Sequence, residues 1–414
     1  MLSGGFHKAI KDIPPIEFEL KNGKRIMLKF NNATIGKPTM PEGVWAKNLQ
    51  VYPKESRMRK ATYTGRLMAQ IGWSIDGKSQ MPYDKNLGEI PMMVSPKTNQ
   101  NLIYIAIIFI YQFLLQLRSE ACNLAGLSPK QLVEKGEHEQ EWGGYFVVKG
   151  HERIIRMLAA TRKNYPMTVI RDSWKRRGKL FTDKGVFLRC VKEDMTSTNN
   201  VLHYLQNGTV KFMCSYKKSL QLLPLIMILK ALTDRPDSYI YEQLTIGLED
   251  DLYYKDRIVF MLRQVQLEGL FSREDVRRFI GKNFRVKMME LPEWYTDEQV
   301  CQHLLERSVC IHLKNDADKF NLMVFMTRKL FAFAQSKCAL EGMDPVMMQE
   351  VSLAGHIYFQ LLKYRMSVWL NTVRIIILKR QRVCKGVYSF GSSIITVSSP
   401  FYNDLPTHLY LIDR

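Results

Sequence analysis

The stretch Gly143–Leu158, GGYFVVKGHERIIRML, decides the fold because it links two regular elements through a glycine. Phe146–Val148 is an aromatic and β-branched run, which favours a strand. Gly150 then marks a turn, since glycine adopts backbone conformations that are strained for other residues. The residues after it fit either a strand or a helix. We therefore expect a strand, a glycine turn and a second regular element here.

β-structure is also predicted on both sides of this stretch. Asn-Gly and Asp-Gly steps between alternating runs are strong signals for tight hairpin turns. They occur at residues 22–23 within FELKNGKRIMLKF, at 76–77 after ATYTGRLMAQIGWSI, and at 207–208 within VLHYLQNGTVKFMCSY. Between them, Ser128 and Pro129 open a short helix predicted over KQLVEKGEHEQE.

From Leu220 onward the apolar residues recur at helical spacing, as in DRIVFMLRQVQLEGL and HIYFQLLKYRMSVWLNTVRIIILKR. Thr296 with Gln299 fits a capping box, and Ser272 with Asp275 fits a looser form of it. The sequence therefore predicts an α+β, multi-domain protein, with a β-rich first part and a mostly helical second part.

The charge of the chain points to a polyanionic partner. Its 414 residues include 60 Lys and Arg against 40 Asp and Glu, a net charge of +20. Such an excess favours nucleic acid or an anionic membrane surface. A basic face that meets acidic proteins is the alternative. The seven cysteines are odd in number and irregularly spaced, which favours reduced thiols over a disulfide framework.

Two groups of residues resemble chemical sites but are better explained by packing. Cys301, His303, Cys310 and His312 have a zinc-like composition, yet ligands two positions apart on a helix point in different directions. The acidic pairs Asp250-Asp251 and Asp316 with Asp318 precede helical patterns, where carboxylates favour the helix start. We predict no catalytic residue and no metal ligand in this chain.

Basic clusters are the better candidates for function. Arginine and lysine beside aromatic residues suit phosphate contact with base stacking, here next to Tyr63, Tyr165 and Trp174. The predicted nucleic-acid-binding residues are Arg57, Arg59, Lys60, Arg162, Lys163, Lys175, Arg176 and Arg177. A solvated basic surface is the alternative for any single cluster.

Several motifs resemble one known family. GGYFVVKGHERIIRMLAATRKNYP resembles the second-largest subunit of eukaryotic RNA polymerases, and its Ile-Arg-Met-Leu ending with Arg162 and Pro166 is similar to the RNA polymerase I form. VYPKESRMRKATYTGRLMAQIGWSIDG, VIRDSWKRRG, LHYLQNGTV, FRVKMMELPEWYTDEQ, CIHLKNDADKF and MTRKLFAFA agree in the same order. The resemblance runs from about Ile13 to Arg382 and concerns the N-terminal part of such subunits.

The resemblance implies a β-rich protrusion domain that is interrupted by a mixed, mostly helical lobe domain and completed by a returning helix. We assign residues 1–170 to the first part of the protrusion, 171–343 to the lobe, 344–385 to the return and 386–414 to an unmatched tail.

The resemblance also implies a function. These domains line the DNA cleft of the polymerase that makes ribosomal RNA precursor by templated ribonucleotide transfer. The expected partners are the largest RNA polymerase I subunit, the other polymerase subunits and the DNA template. Mg²⁺ is expected in the assembled enzyme and no cofactor on this chain, which alone is expected to be inactive. The implied location is the nucleus and nucleolus.

Two other functions stay open. One is a free-standing nucleic-acid-binding or assembly-interfering protein built from polymerase domains. The other is a membrane protein with a span near residues 102–117, but that run is shorter than the ~20 apolar residues a span needs and contains two glutamines. No membrane partner is therefore predicted.

Residues 94–116 interrupt the family pattern. Joining the residues on either side restores GEIPMMLRSEACNLAGLSP, which matches the family without a gap. We interpret Val94–Gln116 as a translated intron, and the tail after Gly386 as a second candidate for that origin. If the genomic region downstream of Lys385 encodes the rest of such a subunit, the chain is an incomplete gene model.

Overall fold

The computed structural model describes residues 6–20, 23–40, 49–94, 121–216, 219–288, 291, 294–383 and 411–413. Two compact units divide the chain, one of Met1–Leu158 with Ser352–Arg414 and the other of Ala159–Val351. The second unit is thus a continuous insertion into the first. The α+β prediction is confirmed, because helices and antiparallel sheets both occur.

The boundaries of the insertion differ from the predicted positions. The structure begins the second unit at residue 159 rather than 171 and ends it at 351 rather than 343. Strand pairing explains the first difference, because Pro166–Ile170 forms an antiparallel ladder with Phe181–Val191 inside the second unit. The assignment of the two units to protrusion and lobe stays a prediction.

The first unit contains a five-stranded antiparallel sheet. Its strands are β1 Ile16–Glu19, β2 Arg25–Ile35, β3 Thr64–Ile75, β4 Lys78–Ser79 and β5 Tyr83–Pro91. Strand β3 pairs with β2, β4 and β5, and β1 pairs with β2. The predicted turns at 22–23 and 76–77 are confirmed as hairpin connections, with φ +76° at Gly23 and +81° at Gly77.

Smaller elements complete this unit. They are the helices α1 His7–Lys11, α2 Pro53–Met58 and α3 Pro129–Glu134, and the strands β6 Phe146–Val148, β7 His151–Ile155 and β15 Leu411–Asp413. The opening stretch is therefore a hairpin, with a strand after the turn rather than a helix. Its central residues Lys149 and Gly150 have φ +53° and +82°, as a type I′ turn requires.

The core of the first unit lies between the sheet and α10, the helix Ala354–Val383. Buried residues of α10 recur at helical spacing, and Trp369 stacks on Phe30 of β2 with 6.1 Å between ring centroids. A helix is thus present within residues 344–385, and its assignment as the returning helix stays a prediction.

The second unit is built on another antiparallel sheet in the order β13-β12-β11-β10-β9. Its strands are β9 Pro166–Ile170, β10 Phe181–Val191, β11 Ser197–Leu205, β12 Val210–Tyr216 and β13 Ser219–Pro224. The predicted turn at 207–208 is confirmed between β11 and β12, with φ +74° at Gly208. Strands β8 Leu158–Thr161 and β14 Gln349–Ser352 pair separately.

Helices cover one face of this sheet. They are α4 Leu225–Leu232, α5 Asp237–Thr245, α6 Leu252–Leu267, α7 Arg273–Arg285, α8 Asp297–Ser308 and α9 Asp316–Ala334. Alternate strand residues such as Val186, Leu188 and Phe212 share one large core with these helices. Between them, Phe187 and Met213 face the opposite side, where a smaller core contains Trp174. This second face carries the candidate site.

The predicted helix starts of the second unit are confirmed in detail. Ser272 with Asp275 and Thr296 with Gln299 form capping boxes at α7 and α8. Asp251 accepts a hydrogen bond from the backbone N–H of Tyr254 at the start of α6, and Asp316 and Asp318 lie in the first turn of α9. In the first unit, Ser128 caps α3, which ends at Glu134 rather than near Glu141.

Most of the proposed insertion lies outside the described residues, as does the tail except for residues 411–413. Val94, the first insertion residue, is buried and exchanges two backbone hydrogen bonds of 2.9 Å with Gly144 and Tyr145. In the described part of the chain, no helix has the length and apolar character needed to cross a membrane. The apolar run at 102–117 falls outside that part.

Candidate nucleic-acid interface

A 3₁₀ turn at Asp172–Arg177 presents the densest basic cluster on the second face of the sheet. Lys175, Arg176 and Lys179 line an open concavity of about 590 Å³ together with Phe181 of β10 and other residues nearby. Arg176 and Lys179 are exposed, and neither has an ion-pair partner among the described residues. Their charges are thus available to an anion in solution.

Lys175 is less available than its two neighbours. Its Nζ lies 3.0 Å from carboxylate oxygens of both Asp172 and Asp183. Hydrogen bonds to Asp183 and Asp172 raise the pKa of Lys175 above its ordinary value. The two carboxylates hold the ammonium at one side of the concavity and offset much of its charge.

The turn is anchored through a buried tryptophan. Trp174 is only 2% exposed and packs against β10 at Gly185. A Cβ at residue 185 would lie 2.6 Å from Trp174 Cζ3 and 2.8 Å from the carbonyl oxygen of Leu202. Glycine is therefore required for the indole to approach the strand this closely.

Arg177 points toward the same buried region. Its Nη1 donates to His203 Nε2 and lies 2.8 Å from Met213 Sδ, and its guanidinium lies 5.8 Å from the centre of the Trp174 ring. Burial, with a contribution from Arg171, lowers the pKa of Arg177. This arginine is thus part of the support beneath the turn.

His203 is neutral in this environment. It is fully buried in β11, and its ring meets Trp174 edge-on with 4.6 Å between centroids. Burial and the charge of Arg177 lower the pKa of His203 to about 3. Because an arginine side chain can only donate, Nε2 must be the acceptor, which places the imidazole proton on Nδ1.

Arg162 and Lys163 lie apart from this turn, next to the pairing of β8 with β14. The Arg162 guanidinium stacks 4.9 Å from the centre of the Tyr165 ring, and its backbone N–H donates to Met348. Lys163 is exposed, and its backbone N–H donates to Glu350. Both side chains remain at the surface, so they stay candidates for phosphate contact.

In the first unit, Arg57 is held by buried and half-buried partners. Its guanidinium forms an ion pair with Glu137, lies 3.0 Å from Glu152 and donates to the Tyr145 hydroxyl at 3.1 Å. Glu137 is almost fully buried. Burial opposes the charge of Arg57, but the hydrogen bond and charge of Glu137 outweigh it and raise the pKa of Arg57. Its geometry is that of a cross-link between α2, the segment that follows α3 and the β6–β7 hairpin.

Arg59 and Lys60 follow α2 and point outward. Arg59 pairs with Glu55 one helical turn earlier, at 2.7 Å, and most of its side chain is exposed. Lys60 is exposed with φ +52°, and its side chain has no partner in the described ranges. These two residues stay candidates for phosphate contact.

The aromatic residues near the basic clusters do not form the expected stacking surfaces. Tyr63 is fully buried and shares a hydrogen bond with Cys122, and Trp174 is buried beneath the turn. Tyr165 is half-buried and already faces the cations of Arg162 and Lys329. The expectation of base stacking at Tyr63 and Trp174 is therefore wrong, because packing in the core uses both rings.

Of the zinc-like residues, the two cysteines lie in the core of the second unit, whereas His303 and His312 are half-buried. Cys301 and Cys310 are completely buried, and burial raises the pKa of Cys301 to about 12. Cys310 donates its backbone N–H to Asn200, which also accepts from Cys190. In the described ranges no group of three His, Cys, Asp or Glu side chains is placed to hold a metal ion.

One basic lining residue was absent from the predicted set. Lys179 belongs to the concavity, and its signal was visible as the last member of the basic run at 175–179. Lys211 adds positive charge nearby, since its Nζ lies 5.8 Å from the centre of the Phe181 ring. It is brought there by β12, and no local pattern in the sequence marks it.

The two units with their exposed basic turn belong to a known class of protein. The chain is a member of the RNA polymerase beta subunit family, whose model matches residues 2–106 and 99–390. The two matched segments meet inside the region interpreted as an insertion.

The relatives identify a particular branch of that family. The chain is 40% identical over 375 residues to the DNA-directed RNA polymerase I subunit RPA2 of Drosophila melanogaster. The matched region covers 90% of this chain and 31% of the fly protein. It is 38% identical to the human RPA2 subunit over 90% of the chain, and 35% identical to a probable RPA2 subunit of Schizosaccharomyces pombe over 94%. The resemblance inferred from the motifs is thereby confirmed.

The chain corresponds to only part of the length of each of these relatives. The chain spans about 31% of the length of the fly and fission yeast subunits and 30% of the human one.

Proposed function

We propose that this chain serves in a DNA-directed RNA polymerase I, as the N-terminal part of its second-largest subunit. The observation that carries the proposal is the 40% identity to an RNA polymerase I subunit over 90% of the chain. Templated ribonucleotide transfer then belongs to the assembled complex, which synthesises ribosomal RNA precursor. The partners are the largest subunit, the other polymerase subunits and the DNA template, and the location is the nucleus and nucleolus.

No chemical step is assigned to the described residues themselves. Mg²⁺ in the assembled polymerase requires converging carboxylates. Among the carboxylates singled out in the sequence, Asp251 instead caps a helix and Asp316 pairs with a basic side chain, and in the described ranges no three metal-binding side chains converge. We propose a binding role for these units.

The surface that suits nucleic acid best is the basic turn of the second unit. Arg176 and Lys179 are exposed and border a concavity, which suits the phosphate backbone of DNA. Phe181 is buried, so its ring is not available to stack on bases. Contacts of this kind position a duplex without reading its sequence, and they weaken steeply as salt concentration rises.

Affinity purification of the tagged full chain from nuclear extract tests the proposal. We expect the largest RNA polymerase I subunit to co-purify after nuclease treatment, and a tagged Arg57→Met variant to recover less of it if the first unit is weakened. Recovery of DNA or RNA with no polymerase subunit would instead support the free-standing nucleic-acid-binding protein. Recovery of neither would contradict both functions.

A further inference from the structure

The four basic residues at 175–179 differ in direction, although they are neighbours in the sequence. Arg176 and Lys179 line the open concavity, and Lys175 is held at its side by two carboxylates. Arg177 alone among these four does not line it, and its guanidinium donates to His203 and lies 5.8 Å from the centre of the Trp174 ring. A contact with a phosphate would require it to leave this position.

The partners of Arg177 are uncharged, which is unusual for a half-buried arginine. They are a neutral imidazole, a thioether sulfur and the edge of an aromatic cluster. In the described part of the chain no carboxylate pairs with it. The planar guanidinium can donate to two partners in fixed directions while it faces a ring, which a lysine ammonium does not reproduce.

The neighbouring packing leaves this arrangement little freedom. Gly185 permits the close approach of Trp174, whose ring meets His203, and the His203 ring also meets Phe181 at 5.6 Å between centroids. Phe181 is itself a lining residue of the concavity. Phe181 at the concavity is therefore connected to the basic turn through His203, Trp174 and Arg177.

We propose that Arg177 is a positioning residue, which fixes the turn so that Arg176 and Lys179 face the nucleic acid, and that it makes no phosphate contact itself. This inference rests on the proposed function of the concavity. It reassigns one of the predicted nucleic-acid-binding residues, and it predicts that the shape of the Arg177 side chain matters more than its charge.

Binding of a fluorescent 20-base-pair duplex to the full chain, measured across a salt series, separates the two roles. Each lost phosphate contact makes the slope of log K against log salt shallower by roughly 0.9. We expect that change for Arg176→Gln, and near-normal binding for Arg176→Lys, which keeps the charge. For Arg177→Gln and Arg177→Lys we expect the same loss of affinity, roughly fivefold, with the wild-type slope.

The inference is overturned if Arg177→Lys binds like the wild type, whether or not Arg177→Gln shows a shallower slope. Arg263→Gln removes an equal charge from an exposed position of α6 and serves as the matched control. If Arg177→Gln fails to fold, the comparison of Arg177→Lys with Arg176→Lys decides the matter.

A second measurement keeps the inference separate from the proposed function. If Arg176→Gln and the wild type bind equally well with the same slope, the concavity is not the nucleic-acid surface and the proposed site fails. Hydrogen exchange of the amides at 174–178 then tests positioning directly. We expect faster exchange in Arg177→Lys than in Arg176→Lys, and equal exchange would overturn the positioning role.

Discussion

The basic cluster after α2 in the first unit and the basic turn in the second unit look alike in sequence but differ in charge balance. In the first, Arg57, Arg59 and Lys60 stand among three carboxylates, of which Glu137 and Glu152 pair with Arg57 and Glu55 pairs with Arg59. In the second, the carboxylates that pair with the four basic residues within the described ranges are the two that hold Lys175. Positive charge is therefore compensated in the first cluster and left over in the second.

In each cluster one arginine points inward, and the charge of its partner explains the difference in charge balance. Arg57 meets carboxylates, so its charge is used to stabilise the fold. Arg177 meets a neutral histidine, and in the described ranges no carboxylate compensates its charge. A run of basic residues thus does not indicate which of its members face solvent. The predictions below test this contrast.

The largest effect is expected for Arg57→Met. The change leaves Glu137 buried without its ion-pair partner, and breaking such a pair typically costs about 3–5 kcal/mol. Urea unfolding of the full chain, followed by hydrogen exchange in the first unit, measures the loss. A loss no larger than that of Arg59→Met, its exposed neighbour, would show that Arg57 is not a structural cross-link.

The next effect is expected for Gly185→Ala. The added Cβ meets Trp174 and the Leu202 carbonyl at less than 3 Å, and overpacking of this kind costs about 1–3 kcal/mol. Gly36→Ala is the matched control, because its Cβ would lie 3.6 Å or more from any neighbour. The thermal midpoint reports the difference, and equal midpoints for the two variants would contradict the close packing beneath the turn.

Local signals predicted much of the fold. The three Asn-Gly and Asp-Gly turns and both predicted capping boxes depend on residues within four positions of one another, and all of them were confirmed. The partners of Arg57 lie 80 and 95 positions away, and His203 lies 26 positions from Arg177. Such pairs exist only after the strands are in register, so no sequence pattern distinguished an inward arginine from an outward one.

The site itself was predicted less well than the fold, for the same reason. The aromatic residues Tyr63 and Trp174 read as stacking surfaces because their neighbours are basic, but burial is decided by the whole core. The domain boundary shifted because the pairing of β9 with β10 attaches residues 166–170 to the second unit. Composition indicated a basic surface, and the turn carries one cluster of exposed basic residues.

A smaller effect is expected from pH on the second unit. The pKa of His203 is about 3 in the folded state, and an ordinary unfolded histidine has a pKa near 6.5. Below pH 6.5 the unfolded chain therefore binds more protons, so stability falls as the pH falls toward 3. Between pH 7 and 5.5 the loss from His203 is about 1 kcal/mol.

His203→Gln isolates this contribution, because other groups of the second unit titrate in both proteins. The pH dependence of unfolding, measured by hydrogen exchange in the second unit, should be weaker in the variant by that amount. The same pH dependence in both proteins would mean that His203 is protonated beside Arg177, and the contrast with the carboxylate-paired Arg57 would then fail.

The smallest effect on stability is expected for Arg59→Gln. Its ion pair with Glu55 is largely exposed, and such pairs contribute about 0–1 kcal/mol. Because the pair costs little to break, Arg59 is free to exchange Glu55 for a phosphate, whereas Arg57 is not.

The salt series of duplex binding distinguishes an Arg59 whose charge is compensated by Glu55 from one that contacts a phosphate. If the charge in this cluster is compensated, Arg59→Gln changes the slope of log K against log salt less than Arg176→Gln does. An equal change in slope for Arg59→Gln and Arg176→Gln would show that the first unit also presents an available basic surface. A basic residue that pairs with a carboxylate at the surface could then still bind DNA.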